Sequence, residues 1–313
     1  EKLDEEETIM KKNMFKTGTA LFATAMMMAA VLTGCSGSDS GASTTAPADT
    51  TATTTEGSSA DNSSASGDTT ADVQKIIDAG KLKVGTKVDV PKFGYQNPET
   101  GKMEGVEVDL AYEIAGEIFG CTADEAKDKD LVAFQGVTAK TRGPLLDNGE
   151  VDLVIATYTI TPERKEKWNF SDPYYTDAVG LLVLKDSGIE SINDLDGKII
   201  GVSQGSTTAK AFGEYTKENN IDVKPEFEEF DGYPSLAAAL AAKNIDVFSV
   251  DRAILAGYND DSTTLLPDRF AEQEYGVASK LDNKGLAELV NGVVDDLKSS
   301  GKMDEMMKGW GIE

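Results

Sequence analysis

Residues 151 to 164 combine a buried-strand pattern with hydroxyl groups and an arginine that could hold an anion. The apolar run 151 to 156 predicts a strand, and a Thr-Pro step before Arg164 is typical of a helix start. Thr157, Thr159 and Arg164 are therefore expected just beyond the carboxyl end of a strand, where open α/β sheets bind ligands. A guanidinium there can hold a carboxylate through two parallel hydrogen bonds. The pattern alone agrees equally well with a capped surface helix and a solvated arginine.

Further polar residues occupy the same kind of position, directly after a predicted strand and before a predicted helix. They are Lys87 after LKVGT, Arg142 after LVAFQ, Ser206 and Thr207 after IIGVS, Tyr233 after FEEF, and Asp251 at the end of DVFSV. Random surface placement would scatter such residues over both ends of the strands, so we expect a polar cleft. Taken singly, Lys87 could be a surface lysine, Tyr233 a packing residue and Asp251 a helix N-cap.

Strand and helix patterns alternate along residues 73 to 313, which predicts an α/β fold with parallel sheets covered by helices. A break in the alternation near residues 172 to 180 separates two such series. We therefore expect two lobes, each a mostly parallel sheet flanked by helices.

The run ITPERKEKWNFSDPYY, residues 160 to 175, resembles the signature of extracellular solute-binding proteins that deliver polar amino acids to ABC importers. Residues 81 to 115 resemble the opening of that family, and residues 194 to 210 and 230 to 254 resemble its second lobe. The resemblance extends in the right order over residues 73 to 313. It implies a two-lobed fold of the type II periplasmic-binding-protein class with a two-strand hinge.

The same resemblance implies where the chain passes between lobes. Lobe 1 would comprise residues 73–177 and 274–313, and lobe 2 residues 178–273. The return of the chain to lobe 1 is implied by the family and not by any pattern in the residues.

The segments TRGPLLDNG, GTKVDVP and FDGYPS are most similar to family members that bind aspartate or glutamate. This similarity implies a role for most of the polar residues. Arg164, Thr159 and Thr207 would hold the α-carboxylate, Asp251 the α-ammonium, and Lys87, Arg142, Thr157 and Tyr233 the side-chain carboxylate. Ser206 lies beside Thr207 at a predicted helix start, where free backbone N–H groups favour a carboxylate.

The charges of these residues complement an acidic amino acid. Lys87, Arg142 and Arg164 are cations and Asp251 is an anion, whereas an acidic amino acid carries two carboxylates and one ammonium. A neutral amino acid would leave a buried cation unpaired, which is unfavourable. We therefore expect capture of L-aspartate or L-glutamate by lobe closure, without a cofactor or a metal.

The composition limits the function classes. A net charge of −25 argues against nucleic acid and anionic membrane surfaces as partners. The chain contains no histidine, which removes histidine-based catalysis and favours a binding protein over an enzyme. Three alternatives stay open: a binder of glutamine or asparagine, an enzyme on the same fold similar to cyclohexadienyl dehydratase, and a surface adhesin. We expect a monomer that delivers its ligand to the permease subunits of an ABC transporter.

The start of the chain predicts export. Residues 10 to 34 have basic residues followed by an apolar stretch too short to span a membrane, as in a Sec-type signal peptide. This segment ends in Leu-Thr-Gly and is followed by Cys35, and the run Leu-Thr-Gly-Cys resembles a lipobox, which implies that Cys35 is lipidated. The protein is then expected outside the cytoplasm, anchored to the cell membrane by its N-terminal lipid. The alternative is an ordinary Sec signal that ends near a cysteine by chance.

Two segments flank the predicted signal. Residues 1–9 are acidic and fit no targeting pattern, so we interpret them as an upstream extension. Residues 35–72 are rich in Ser and Thr and have too little apolar surface to offset chain entropy, which predicts a disordered tether. A flexible coil of that length has an average reach of roughly 30 to 37 Å.

Overall fold

The computed structural model describes residues 69 to 312. The predicted signal peptide, Cys35 and most of the predicted tether lie outside the described residues. The first helix begins at Ala71, inside the segment predicted as tether, because Asp72 is tied to the C-terminal part of the chain. Its Oδ2 accepts a 2.9 Å hydrogen bond from the backbone N–H of Leu286.

The described residues alternate between short strands and helices, as predicted. The strands are β1 (Leu82–Thr86), β2 (Asp89–Val90), β3 (Gly94–Gln96), β4 (Met103–Glu104), β5 (Val132–Gly136), β6 (Leu153–Val154), β7 (Trp168–Phe170), β8 (Tyr175–Leu184), β9 (Ile199–Ser203), β10 (Glu226–Phe230), β11 (Val247–Asp251), β12 (Thr263–Leu265), β13 (Phe270–Tyr275) and β14 (Ala278–Lys280). The helices are α1 (Ala71–Ala79), α2 (Val106–Phe119), α3 (Ala123–Asp128), α4 (Arg142–Asp147), α5 (Pro162–Lys165), α6 (Thr208–Glu218), α7 (Tyr233–Ala241), α8 (Arg252–Ala256), α9 (Lys284–Ser299) and α10 (Lys302–Gly309). Within residues 69 to 312, no helix is both long enough and apolar enough to cross a bilayer.

The first lobe is built on a five-stranded sheet in the order β5-β1-β6-β14-β7. Strand β1 pairs in parallel with β5 and β6, whereas β14 is antiparallel to β6 and β7. Since β14 follows every strand of the second sheet, the chain returns to the first sheet near its end. A separate small sheet has the order β2-β3-β4.

The second lobe is built on a sheet in the order β10-β9-β11-β8-β12, with β13 also paired to β8. Strands β9, β10 and β11 are parallel, and β8 is antiparallel to β11, β12 and β13. Both sheets are therefore mixed and not mostly parallel as expected, because β8 and β14 run antiparallel to their neighbours. Each keeps a parallel core whose carboxyl ends lie at one edge.

Strands β8 and β13 are the two segments that join the lobes. They pair antiparallel, from Tyr175 opposite Tyr275 to Phe270 opposite Val179, with a register shift between Phe270 and Glu272. An isolated bridge between Thr159 and Tyr275 attaches a first-lobe segment to β13. This pair of strands matches the expected two-strand hinge, while the residue boundaries of the lobes remain a prediction.

Helix α2 shows how the apolar pattern positions an element beside the site. Leu110, Ile114 and Ile118 recur at helical spacing and are buried, so this face packs against the core. Gly120, with φ +65°, adopts the left-handed conformation that ends the helix.

The strand predicted at 151 to 156 is shorter in the structure and covers only Leu153–Val154. The backbone N–H of Ile155 still donates to the Gly85 carbonyl. The next two carbonyls, of Ala156 and Thr157, accept from the Arg142 side chain. The Arg142 side chain therefore occupies the carbonyl groups that a longer strand would pair, and the candidate site begins at these residues.

Candidate functional site

The structure gathers the nine predicted polar residues at or beyond the carboxyl ends of strands, between the lobes. Six are buried and three are half-buried. The buried ones are Lys87, Arg142, Thr157, Thr159, Tyr233 and Asp251, and the half-buried ones are Arg164, Ser206 and Thr207.

Helix α5 carries Arg164 into the site as the sequence predicts. Thr161 accepts a 3.2 Å hydrogen bond from the Arg164 backbone N–H, and Pro162 is the first helical residue, so the predicted helix start is confirmed. The Arg164 side chain is held by its own lobe, because Nη1 donates to the Thr159 carbonyl at 2.7 Å.

Arg164 also reaches the second lobe. Its Nη2 donates to the Gly205 carbonyl at 3.2 Å, in the turn before α6. Gly205 has φ +80°, and a Cβ there would lie 3.0 Å from the Ala139 carbonyl oxygen and from Lys140 Cα of the first lobe. The two lobes therefore approach each other closely at Gly205, and a residue with a side chain there would keep the lobes apart.

The turn before α6 suits an anion. Thr207 is the N-cap of this 11-residue helix, but no side chain caps its first N–H groups. Ser206 lies in the same turn and donates its backbone N–H to the Ser203 carbonyl at 3.0 Å. Because Arg164 reaches this same turn at the Gly205 carbonyl, the uncapped N–H groups make it the best candidate for a carboxylate.

Two guanidinium groups lie against one aromatic ring. The Cζ atoms of Arg142 and Arg164 lie 4.0 and 4.6 Å from the ring centroid of Tyr158. Burial, and then the positive charge of Arg142, lower the pKa of Arg164 to about 10, so Arg164 is still a cation at neutral pH. The ring stabilises the two cations, and a bound anion would relieve their repulsion.

Arg142 shapes the turn that begins the site. Its Nη1 donates to the carbonyls of Ala156 at 2.6 Å and Thr157 at 3.0 Å. Thr157 has φ +44°, which is strained for a β-branched residue and is the kind of strain that accumulates at functional sites. Its backbone N–H donates to Glu107 Oε1 at 2.5 Å, so Arg142 and Glu107 together hold the strained turn.

Three polar atoms of this cluster have no hydrogen-bond partner among residues 69 to 312. They are Arg142 Nε, Thr157 Oγ1 and Glu107 Oε2, all fully buried. Buried polar atoms are nearly always paired, so this position favours a polar ligand.

The positive charge of Lys87 is compensated by a neighbouring carboxylate that was not counted in the sequence-based prediction. Its Nζ lies 3.0 Å from Asp89 Oδ1 and 4.4 Å from the ring centroid of Tyr233. The Lys87 side chain is only 1% exposed, and burial lowers its pKa despite the opposing effect of Asp89. Tyr233 comes from the start of α7 in the second lobe, so this contact also joins the lobes.

Glu107 was not predicted as a site residue, although it is completely buried between the cations. Its Oε1 accepts from the Tyr174 hydroxyl at 2.5 Å as well as from Thr157. Burial raises its pKa, while its hydrogen bonds and the nearby Arg142 and Lys87 act in the opposite direction. The helical spacing contained a signal, because Glu107 lies on the same face of α2 as Ala111 and Ile114.

Asp251 ends β11 and faces the hinge. Its Oδ2 accepts a 2.5 Å hydrogen bond from the Tyr275 hydroxyl. Burial raises the pKa of Asp251 to about 7, and the Tyr275 hydrogen bond opposes this effect. The side chain does not cap α8, so the N-cap interpretation is wrong for its carboxylate. Asp177 takes that role, because its Oδ2 accepts from the Ala253 backbone N–H at 2.7 Å.

Thr159 and Thr207 both bond to Gln273, a residue that was not predicted from the sequence. Each hydroxyl donates a 2.8 Å hydrogen bond to Oε1 of Gln273, on hinge strand β13. Gln273 is two residues from the buried Tyr275, and this alternation could have placed it on the inward face of the strand.

Comparison with known proteins places the chain in a family. The model of bacterial extracellular solute-binding proteins, family 3, matches residues 82–313. A glutamine-binding protein of an ABC transporter from Bacillus subtilis is 36% identical over 247 residues, 78% of this chain and 84% of that protein. A glutamate-binding protein from Corynebacterium glutamicum is 30% identical over 241 residues, 74% of this chain and 78% of that protein.

Solved structures agree with the fold. The crystal structure of a cysteine-binding protein from Campylobacter jejuni matches with a TM-score of 0.66 and 28% identity, over 76% of this chain and 92% of that one. The two-lobed type II periplasmic-binding-protein fold expected from the sequence is therefore confirmed. The chain belongs to family 3 of the bacterial extracellular solute-binding proteins.

Proposed function

We propose that this protein is the substrate-binding subunit of an amino-acid ABC importer and captures its ligand by closing its two lobes. One observation carries this proposal: the buried Lys87, Arg142 and Asp251 and the half-buried Arg164 share one site, between two lobes that contact each other. The names of the glutamine-binding and glutamate-binding relatives support an amino acid as the ligand and binding as the role.

The two ends of the site match the two groups that every α-amino acid carries. Arg164 and the uncapped N-terminus of α6 would hold the α-carboxylate. Asp251 would hold the α-ammonium, because its carboxylate is buried and is not used by α8. Each lobe holds part of the ligand, so the bound state favours closure.

The ligand's side chain would lie against Lys87, Arg142 and Tyr233. Arg142 still has an unpaired Nε, and Thr157 an unpaired hydroxyl, among the described residues. These donors suit the second carboxylate of L-aspartate or L-glutamate, which we propose as the ligands.

A second candidate ligand is glutamine, because the site contains two carboxyl groups, of Asp89 and Glu107, that the charges counted from the sequence did not include. Asp89 pairs with Lys87, and Glu107 lies beside Arg142. If Glu107 is ionised, both cations are already balanced and a neutral amide suits the site. If Glu107 is protonated, as burial favours, one cation stays uncompensated and an acidic ligand suits it better.

Titration calorimetry of a soluble form beginning at residue 36 against the twenty amino acids tests the proposal. We expect L-aspartate or L-glutamate to bind most tightly. Tightest binding of glutamine would select the second candidate, and Glu107→Gln should then shift the preference toward acidic ligands. Binding of no amino acid would overturn the proposed function.

We also propose that Cys35 is lipidated and anchors the protein to the cell membrane. Cys35→Ser should release the protein from the membrane fraction, because the lipid is its attachment. Cys121→Ser is the matched control, since Cys121 is the half-buried second cysteine of the chain, and this variant should stay with the membrane. If Cys35→Ser remains in the membrane fraction after a high-salt wash, the anchor is elsewhere.

A further inference from the structure

Gln273 connects both lobes through a single oxygen atom. Its Oε1 accepts the hydroxyl of Thr159, which follows β6 in the first lobe, and the hydroxyl of Thr207, which precedes α6 in the second. Gln273 itself lies on β13, one of the two strands that cross between the lobes, and is 3% exposed.

The amide orientation is set by the backbone around it. Gln273 Nε2 donates to the Ala271 carbonyl at 2.9 Å, so Oε1 must face the threonines. Ala271 has φ +51° at the register shift of β13, and this bulge directs its carbonyl toward the Gln273 amide. The bulge in β13 thus fixes the position of Gln273 Oε1, the atom that accepts from both threonines.

The hydroxyl chemistry limits what the threonines can do. A threonine hydroxyl has one proton to donate, and in the structure both protons point to Gln273. While they do so, neither hydroxyl can donate to a ligand carboxylate, which offers only acceptors. The direct α-carboxylate role expected for Thr159 and Thr207 conflicts with this arrangement.

We propose that Gln273 is an interlobe latch: Thr159 of the first lobe and Thr207 of the second promote ligand binding by both bonding to Gln273 at the hinge, which ties the lobes together, and not by contacting the ligand. The inference rests on the proposed function, because closure around an amino acid is what the latch would favour. Gln273 is then a positioning residue.

A double-mutant cycle on ligand affinity separates the latch from direct contact. Thr207→Val removes one hydrogen bond to Gln273 and should weaken binding roughly 2- to 13-fold. Gln273→Met removes both bonds to the threonines, besides the local bond to the Ala271 carbonyl, and loss of the two threonine bonds should weaken binding roughly 5- to 150-fold. If the latch exists, Thr207→Val has no further effect in the Gln273→Met protein. If Thr207 contacts the ligand, it weakens binding by the same factor in both backgrounds, which overturns the proposal.

Thr216→Val is the matched control. Thr216 is a buried threonine of the same lobe whose hydroxyl bonds within α6, to the Phe212 carbonyl at 2.9 Å. This variant loses a comparable hydrogen bond away from Gln273 and should bind ligand as wild type does.

Small-angle scattering of the ligand-free proteins gives a readout that does not depend on the ligand. Gln273→Met should have a larger radius of gyration than wild type, because closure loses its latch. An unchanged radius would overturn the proposal, and this comparison stands even if wild type binds no amino acid. Should Gln273→Met fail to fold, the Thr159→Val and Thr207→Val double variant removes both donors without altering β13.

Discussion

The two lobes contribute different chemistry to the site. The first lobe supplies the cations, and each is already bonded within that lobe: Lys87 to Asp89, Arg142 to the carbonyls of Ala156 and Thr157, and Arg164 to the Thr159 carbonyl. The second lobe supplies an uncapped helix N-terminus, the Tyr233 ring and the Asp251 carboxylate.

This difference indicates a division of roles. The first lobe is a preorganised cationic surface, because each of its cationic side chains has a bonding partner within that lobe. The second lobe adds weaker, mostly neutral groups that complete the site when the lobes meet. We therefore expect substitutions in the first lobe to remove ligand recognition and those in the second to reduce closure.

The largest expected effect is at Arg164. Arg164→Ala should weaken binding of every amino acid roughly 30- to several thousandfold, because the α-carboxylate that Arg164 is proposed to hold is common to all of them. Titration calorimetry with aspartate, glutamate and glutamine measures this loss. Lys165→Ala removes the same charge from the exposed neighbouring position and should change little. A loss confined to acidic ligands would mean that Arg164 recognises the ligand's side chain instead.

Substitution of Arg142 should weaken the binding of acidic ligands more than that of amide ligands. Arg142→Ala should weaken binding of aspartate and glutamate, again roughly 30-fold or more, while asparagine or glutamine affinity holds or rises. It should also lower the melting temperature, because Nη1 holds the strained turn at Thr157. Competition binding and thermal unfolding measure the two effects. Wild-type affinity of Arg142→Ala for aspartate would mean that other groups hold the side-chain carboxylate.

The smallest expected effect is a pH dependence from Asp251 in the second lobe. Burial raises its pKa to about 7, so the carboxyl is protonated below that pH in the free protein. An ammonium ligand needs the ionised form and must displace the proton. Affinity should therefore fall about tenfold for each pH unit below about 7 and stay level above it.

Calorimetry between pH 5.5 and 8 measures this dependence. Asp251→Asn should weaken binding at neutral pH and flatten the profile. A wild-type profile that is flat over this range would show that Asp251 is not the ammonium partner.

Local patterns in the sequence were enough for most elements and for the position of most polar groups. Strand β1, helix α2 and the start of α5 follow from apolar spacing and capping residues, which act between neighbours along the chain. Because parallel strands bring their carboxyl ends to one edge of a sheet, the polar residues after them could be expected near one another.

The partners of those residues could not be derived in the same way. Asp89 looks like an ordinary acid near Lys87, and Glu107 like one more charged residue of a helix. Only the packing around them, which leaves Glu107 buried and Asp89 half-buried, makes them part of the charge balance on which the choice between the proposed acidic and amide ligands depends. The sequence-based count was incomplete because burial depends on what packs above each side chain.

The sequence by itself determined the α/β class, the order of the elements and the cationic character of the site, since these depend on local periodicity and residue type. Tertiary structure alone decided that Thr159 and Thr207 meet at Gln273 and that Asp251 is held by Tyr275 and does not cap α8. These contacts join residues far apart in the chain across two mixed sheets. Their distances depend on strand pairing and lobe packing, which no local pattern encodes.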